Sequence, residues 1–588
     1  MGVSNSVLNV LTYLIPFAGL ASAHGKFDQC LATIAEIMNG TKNNTYGWNE
    51  AIHLYNGTIR GFDESTGEKK PLTLTYEGCK LMCNGNVPDP NDVFTALSVL
   101  TTWVLPSVAL FSNLPYEALS KKKIRKTFEA FTSWIGSPQT ALTTTLFNIH
   151  VMRRCQIMSK KEPQTELNYR DVLYILSCVG QYEYRTFGTR RSTVISNIRD
   201  RRDRALVYGI LTPLENTNER DVIYTRVIAQ NLAFQLRCNR RRGVFPVLIN
   251  VAWFIVAFAF SLVTAFANLG DNTTAHSLAL GIFVAWLPVL ICSTIMDRNP
   301  TASTRCRVLI DRWLYQCEQI SNCPQGSEPA WWEPPNRQMN LPGSDMDMTV
   351  GDYIGQGRRL RYCGVTNALL EIVEKYAPSD SGRASRSQRF QDYQRAMTLE
   401  FTRTLTRRPA SWWIICGVAH LFVIQQNFLA FVVSFQTPTI GLGCRSALFL
   451  GYFLVSLITS SIQLCFQEPP PWTRRITVSA NTFNTLLLLV IMMLQVIGGL
   501  NNCYCKTSQI GTKRYGGYTD LENAQFYKTA FHVVKTWATA AAFGLSGCLL
   551  LITWNLKCWA KTSPLWTNNE DPHYGPDQDD RVDMKWLT

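Results

Sequence analysis

Charge is missing from this sequence in particular places. Seven stretches, near residues 94–112, 246–268, 275–296, 412–435, 446–466, 476–500 and 537–556, contain no Asp, Glu, Lys or Arg. A helix crossing ~30 Å of hydrocarbon needs about 20 apolar residues. Core helices of soluble proteins are rarely so clean over that length, so the gaps in charge exclude an ordinary soluble globule. Histidine is scarce as well, with 7 in 588 residues. There is no His-Glu-x-x-His, no Gly-x-Ser-x-Gly, no phosphate-binding Gly-rich loop and no dinucleotide fingerprint. Each of those patterns places catalytic or phosphate-holding groups at a fixed spacing, and the enzyme classes built on them are excluded with them. No carboxylate sits in any apolar stretch, which argues against a proton-coupled transporter with a carboxylate relay.

What is present is strongly partitioned. The net charge is +14 and the mean hydropathy is −0.03. The second figure is an average over apolar spans and polar loops. Composition excludes a disordered chain, a collagen and a small disulfide scaffold. The expected fold class is an all-α membrane protein with about seven transmembrane helices. Its amino terminus would lie outside and its carboxyl terminus in the cytosol, with helical cytosolic loops and a small extracytosolic amino-terminal segment.

Orientation follows from the basic residues beside the spans. With 24–92 outside, the loop 113–245 is cytosolic and carries 23 Lys+Arg against 11 Asp+Glu. The loop 297–411 carries 16 against 13, and the outer segment 24–92 carries 6 against 9. Lys121–Lys126, Arg240–Arg242, Arg298, Arg407-Arg408 and Arg474-Arg475 all flank span ends on the inner side. Residues 1–23 read as a signal peptide ending Ala21-Ser22-Ala23, or as a retained signal anchor. Gly2 and Ser6 also match a myristoylation pattern.

The outer segment contains the sequons Asn39-Gly-Thr, Asn43-Asn-Thr and Asn56-Gly-Thr. A fourth, Asn272-Thr-Thr, falls in the outer turn between the second and third spans. Sequons become glycoprotein sites only on that side of the membrane. The same parity puts Cys30, Cys79, Cys83, Cys444, Cys503 and Cys505 outside, an even number in an oxidising compartment. Six cysteines allow 15 connectivities, so the pairing stays open.

Residues 131–152 are uncharged but only mildly apolar, with Gly136-Ser-Pro138 and a Thr-rich run. They read as an interfacial or re-entrant segment, or as a cytosolic helix packed on the bundle. The loop 113–245 contains periodic stretches that predict amphipathic helices. Between them Arg199–Arg204 is either a surface for anionic lipid headgroups or a solvated helix face. The loop 297–411 predicts two helical segments separated by a Pro- and Gly-rich linker, and 557–588 reads as a cytosolic tail. Cys306, Cys317 and Cys323 lack zinc spacing and read as free thiols. No metal or other cofactor is expected.

Within the spans, the fourth groups His420, Gln425, Gln426 and Asn427 as an intramembrane polar cluster. Such residues most simply bond neighbouring helices, and a ligand or permeation role is the alternative.

Leu146–Arg154, Met296–Pro300 and Ile310–Leu314 together resemble multi-pass integral membrane proteins of filamentous ascomycete fungi that carry no assigned activity. That resemblance implies no mechanism; at most it implies a place beside secondary-metabolite pathways. Seven spans with the amino terminus outside are also the layout of G-protein-coupled receptors. Here, however, Asp297-Arg298-Asn299 ends the third span, and two of the inner loops exceed 100 residues. The expected function is therefore a non-enzymatic sensor, scaffold or accessory protein. A channel or transporter for a small solute is the alternative, and a membrane-embedded enzyme the second. Expected partners are the lipid bilayer, anionic lipid headgroups at the cytosolic face and unidentified proteins, with no nucleic acid. The setting would be the plasma membrane or a secretory-pathway endomembrane.

Treatment with an endoglycosidase should lower the apparent mass of the full chain on a gel. The triple substitution Asn39→Gln, Asn43→Gln and Asn56→Gln should remove that shift, while an untreated mass equal to the treated one would place 24–92 away from the glycosylation machinery.

Overall fold

The structure is a computed structural model. It describes residues 59–62, 69–76, 79–80, 90–91, 93–113, 124–160, 166–184, 193–214, 220–240, 244–267, 272–296, 303–322, 350–351, 353, 364–376, 401, 407–437, 441–466, 471–506, 510–511, 518–520 and 531–566. The described chain is mostly helical. After strands β1 (Ile59–Phe62) and β2 (Lys69–Thr75) come α1 (Val93–Ser112), α2 (Ile124–Gly136), α3 (Pro138–Ser159), α4 (Glu166–Val179), α5 (Thr193–Leu211), α6 (Arg220–Cys238) and α7 (Phe245–Ala267). α8 runs Asn272–Val284 and, past a turn at Ala285, Trp286–Met296. Then follow α9 (Ser303–Asn322), α10 (Val365–Tyr376), α11 (Ala410–Phe435), β3 (Gly441–Leu442), α12 (Cys444–Cys465), α13 (Pro471–Ile497), β4 (Ile510–Gly511), β5 (Tyr518–Asp520) and α14 (Phe531–Trp566).

Seven of these helices, α1, α7, α8, α11, α12, α13 and α14, are long and apolar enough to cross a membrane. Their burial separates them into a centre and a ring. Ala275–Met296 of α8 is 94% buried, whereas the other six lie between 22% and 39%. A helix apolar on all sides suits that central place. The six ring helices turn large apolar side chains outward, among them Trp253, Phe260, Leu421, Phe483 and Leu550. An outer surface of that kind matches lipid tails, not water.

A second central helix comes from the segment whose placement the sequence left open. α2 and α3 form a hairpin that turns at Ser137. Of the 22 residues of α3, 17 are buried, and it packs on α11, α14 and the second half of α8. Ile149 and Met152 meet Met296 and Cys558, at the end of the bundle where α1 finishes and α2 begins. The two ends of the hairpin thus lie at one end of the bundle. Its tip reaches the middle of α12 and α13. There the turn frees carbonyls that no water can satisfy. The Tyr452 hydroxyl donates to the Ile135 carbonyl (2.5 Å) and the Asn484 amide to the Gly136 carbonyl (2.7 Å). Gln139 donates to the Ser456 carbonyl (2.7 Å), and the Ser456 hydroxyl donates back to Gln139 Oε1 (2.8 Å). Pro138 opens α3 with no N–H to satisfy.

The threonine run explains how a mildly apolar helix can be buried so fully. Thr143, Thr144 and Thr145 each donate to a carbonyl three or four residues back, so their hydroxyls are satisfied inside the helix.

At the opposite end of the bundle, β1, β2 and β5 form an antiparallel sheet that joins the amino-terminal segment to the stretch between α13 and α14. β3 pairs with β4. Disulfides Cys79–Cys503 and Cys444–Cys505 tie the same segments. Asn91 closes the end of α13, with its amide donating to the Gln495 and Val496 carbonyls (3.0 and 3.1 Å). Gly498 follows at φ +76°, where a Cβ would sit 2.5 Å from the Asn91 nitrogen.

Outside the bundle, α4, α5, α6, α9 and α10 build one helical unit with one core. Leu173, Leu206, Leu232, Trp313 and Leu369 belong to it. α4 to α6 come from the loop 113–245, and α9 and α10 from 297–411. Neither loop buries its apolar stripe alone. α14 continues ten residues past the expected span end at 556, and Leu565 joins this core.

A Cβ on Gly136 would lie 2.5 Å from the Asn481 carbonyl oxygen and 2.6 Å from its Cα. Gly136→Val should therefore lower the stability of the detergent-solubilised protein by about 3 kcal/mol, read as a lower midpoint in thermal unfolding. A midpoint unchanged from the parent would disprove the tight contact between the hairpin tip and α13.

Candidate functional site

Two places gather polar groups that the fold does not need for a simple bundle: the inner face of α11, and the joint where α3 leaves the bundle. α11 starts after Pro409, whose fixed φ of −71° and lack of an N–H suit a helix start. His420 Nδ1 lies 2.8 Å from the Cys416 carbonyl. A carbonyl only accepts, so Nδ1 carries a proton, while Nε2 is buried without a hydrogen-bond partner. Gln425 donates to the Phe543 carbonyl and Gln426 to the Gly544 carbonyl, both at 3.1 Å, which ties α11 to α14. Two of the four cluster residues therefore serve as helix-to-helix bonds. Asn427 does not: it is 1% exposed, and neither its amide nitrogen nor its oxygen has a hydrogen-bond partner.

The joint is built on α3. Ala141, Leu142 and Leu146 belong to the core of the bundle. Phe147, Val151, Cys155 and Met158 belong to the core of the helical unit. One rigid helix is thus held in both. Three arginines fix its surroundings. Arg237 donates to Asp171 (2.6 Å) and to the Leu565 carbonyl (3.2 Å), joining α6, α4 and the end of α14. Arg240 donates to the Trp566 carbonyl (3.2 Å) and stacks over its ring at 4.1 Å. Arg154, on α3, donates to Asn367 on α10 (2.7 Å).

The basic run read from the sequence is partly internal. Arg202 and Asp203 are both 0% exposed. Tyr184 donates to Asp203 (2.5 Å), and the Arg202 guanidinium lies 3.9 Å above the Tyr184 ring. Arg201 bonds Glu318, and Arg204 remains exposed. Those two buried side chains organise a core rather than face a membrane.

Of the cysteines expected outside, Cys79, Cys444, Cys503 and Cys505 form the two disulfides. Cys30 and Cys83 lie outside the described residues, as do Asn39, Asn43 and Asn56. Asn272 is the first residue of α8, and its side chain is also outside the described set. Cys306 and Cys317 are buried and unpaired. Burial pushes both thiols up, Cys306 to about 12, which leaves them protonated and unreactive. Cys323 lies outside the described residues. Among the described residues no three His, Cys, Asp or Glu side chains converge to hold a metal.

Sequence reading missed the network at the hairpin tip. Asn484, Tyr452 and Gln139 were visible only as isolated polar residues in apolar context. Gly136-Ser-Pro138 was the available signal of a turn, but not of its depth. Compared with known proteins, the chain matches no protein family, no curated protein and no solved structure.

Asp311, on α9 in the helical unit, is half-buried and its carboxyl is raised to about 6, chiefly by desolvation. The Val350 N–H (2.7 Å) and the nearby Arg307 oppose that rise. A carboxyl raised in the folded state favours folding when protonated. Stability should therefore increase as pH falls through about 6, level off below the unfolded value of 3.8, and be lost again as pH rises. Asp311→Asn, which keeps an acceptor for Val350, should remove a pH dependence on the order of 2 kcal/mol between pH 4 and 7 in thermal unfolding. An unaltered pH profile would reject this assignment.

Proposed function

We propose that this chain is a multi-pass membrane sensor or scaffold that couples its bundle to a helical unit on the cytosolic side. The observation that carries the reading is the double membership of α3, with one half in the bundle core and the other in the core of the helical unit. A shift of the hairpin tip among Tyr452, Ser456 and Asn484 cannot be absorbed in a flexible linker, because none separates the two cores. Rigid helices with two packed ends transmit displacement in this way.

In this reading the knitted end with its disulfides faces the oxidising, extracytosolic side, and the helical unit faces the cytosol. The excess of Lys and Arg beside the spans supports that orientation. Residues 1–23 act as a signal peptide or anchor, and the sequons at Asn39, Asn43, Asn56 and Asn272 are available to sugar. Among the described residues, exposed Arg407 and Arg475 are available to meet anionic headgroups.

A transporter or channel for a small solute is the second reading. It is favoured by one observation, the unpartnered amide of Asn427 in the middle of α11.

A promiscuous biotin ligase fused to the carboxyl terminus should label a recurrent set of cytosolic proteins. Arg237→Ala removes the tie between α6, α4 and α14, with an expected loss of about 3 kcal/mol, and should shrink that set. Labelling of lumenal proteins would reverse the orientation. A set no different from that of an unrelated seven-span protein would reject the scaffold reading.

A further inference from the structure

The buried face of α11 holds more unsatisfied polar atoms than Asn427 alone. His420, Asn427 and Ser434 are spaced seven residues apart, so they share one face, separated by about 10 Å each at 1.5 Å per residue. Nε2 of His420, both polar atoms of the Asn427 amide and the Ser434 hydroxyl are all buried without a hydrogen-bond partner. Gln426 adds Oε1, free while its Nε2 holds the Gly544 carbonyl. Ser434 and Asn427 are 4% and 1% exposed, and Gln426 is 0% exposed.

Ordinary bundle packing does not account for this. Thr143, Thr145 and Ser293 of the same core donate to carbonyls of their own helix, and buried Ser107 of α1 is a further hydroxyl without a partner. Ser434 likewise makes no such bond. A lone buried polar atom is costly, and native interiors satisfy nearly all of them with protein or ordered water. Several such atoms along one face mark a place where something else completes the bonds. There is room beside Gln426. A Cβ on Gly547 would lie 3.5 Å from Phe422 and 3.6 Å from Gln426 Nε2, which is ordinary contact and not a clash. Gly547 therefore leaves open a space the size of a methyl group beside the Gln426 amide.

We propose that the inner face of α11 binds small neutral molecules that both donate and accept hydrogen bonds, at a site centred on Asn427 with Gln426, and with His420 and Ser434 as flanking stations. The groups present dictate that class. The Asn427 amide offers two N–H donors and an acceptor oxygen, Gln426 Oε1 accepts, His420 Nε2 accepts when the ring is neutral, and the Ser434 hydroxyl does either. No fixed charge is aimed at the site, so an ion has no counter-charge there. Water and a small solute of the urea or glycerol type share the required chemistry. The inference rests on the membrane placement proposed above, but not on coupling through α3.

Radiolytic labelling in H2(18)O tests it on the full chain in lipid nanodiscs. Bound water delivers 18O to adjacent side chains even when bulk solvent does not reach them. Labelling is expected at Phe422 or at other residues flanking Asn427. Asn427→Leu should slow it about tenfold, the equivalent of one lost hydrogen bond. Gly547→Ala, which fills the space and leaves every hydrogen bond in place, should also slow it while the thermal midpoint is kept. Urea or glycerol added at molar concentration distinguishes the sources. Suppression greater than that at exposed helices, which report bulk scavenging of radicals, identifies a solute site, and suppression no greater than there identifies water as the occupant. No 18O on α11, with normal labelling of exposed helices, would overturn the proposal. Labelling that persists unchanged in both variants would overturn it equally. Biotin-ligase labelling of cytosolic partners is independent of either result, so failure of the site and failure of the scaffold reading are told apart.

Discussion

In hydrocarbon, every backbone N–H and C=O must find its partner within the protein. The hairpin α2–α3 depends on meeting that constraint. A turn at Ser137 in the middle of the bundle interrupts two helices and frees carbonyls at Ile135 and Gly136. Without the Tyr452 hydroxyl and the Asn484 amide, each would cost several kcal/mol. With them, the turn is fixed between α12 and α13, and α3 is set on a path down the middle of the bundle. The threonines of α3 solve the same problem locally by bonding back to their own helix.

Much of the remaining architecture follows from where α3 is held. It fills the space beside the central helix α8 and continues into the helical unit, so the two cores meet without a hinge. Arg237 and Arg240 add a second attachment through the end of α14. Their bonds to Asp171 and to the Leu565 and Trp566 carbonyls explain why α14 stays helical beyond its apolar stretch. The knitted end is held by other means. Two disulfides, two small sheets and the Asn91 cap bind the amino-terminal segment to the links between α11 and α12 and between α13 and α14. One end of the molecule is thus covalently tied and the other is joined by packed helices.

The polar residues of the spans divide by what they satisfy. Gln425, Gln426, Asn484 and Gln139 use neighbouring backbone as partner, which holds helices together. Asn427, Ser434 and His420 Nε2 lack that use and gather on one face of α11. A polar side chain within a span thus has no single meaning, since its partners decide whether it is an adhesive or part of a site.

The sequence by itself determined the seven apolar helices, because a run of about 20 residues without charge has one stable setting and its boundaries are local. It also set 131–152 apart as a segment unlike the seven spans, and the cysteines that form the two disulfides were among its six candidates. Only the tertiary structure decided how deep the hairpin goes, since that depends on Tyr452, Ser456 and Asn484, more than 300 residues away in the chain. Only the structure paired Cys79 with Cys503 and Cys444 with Cys505, because six thiols carry no local mark of their partners. It also merged the loops 113–245 and 297–411 into one core and buried Arg202 and Asp203, which composition placed at a surface. Apolar length is a property of a segment, whereas burial of a polar group depends on what the rest of the chain brings beside it.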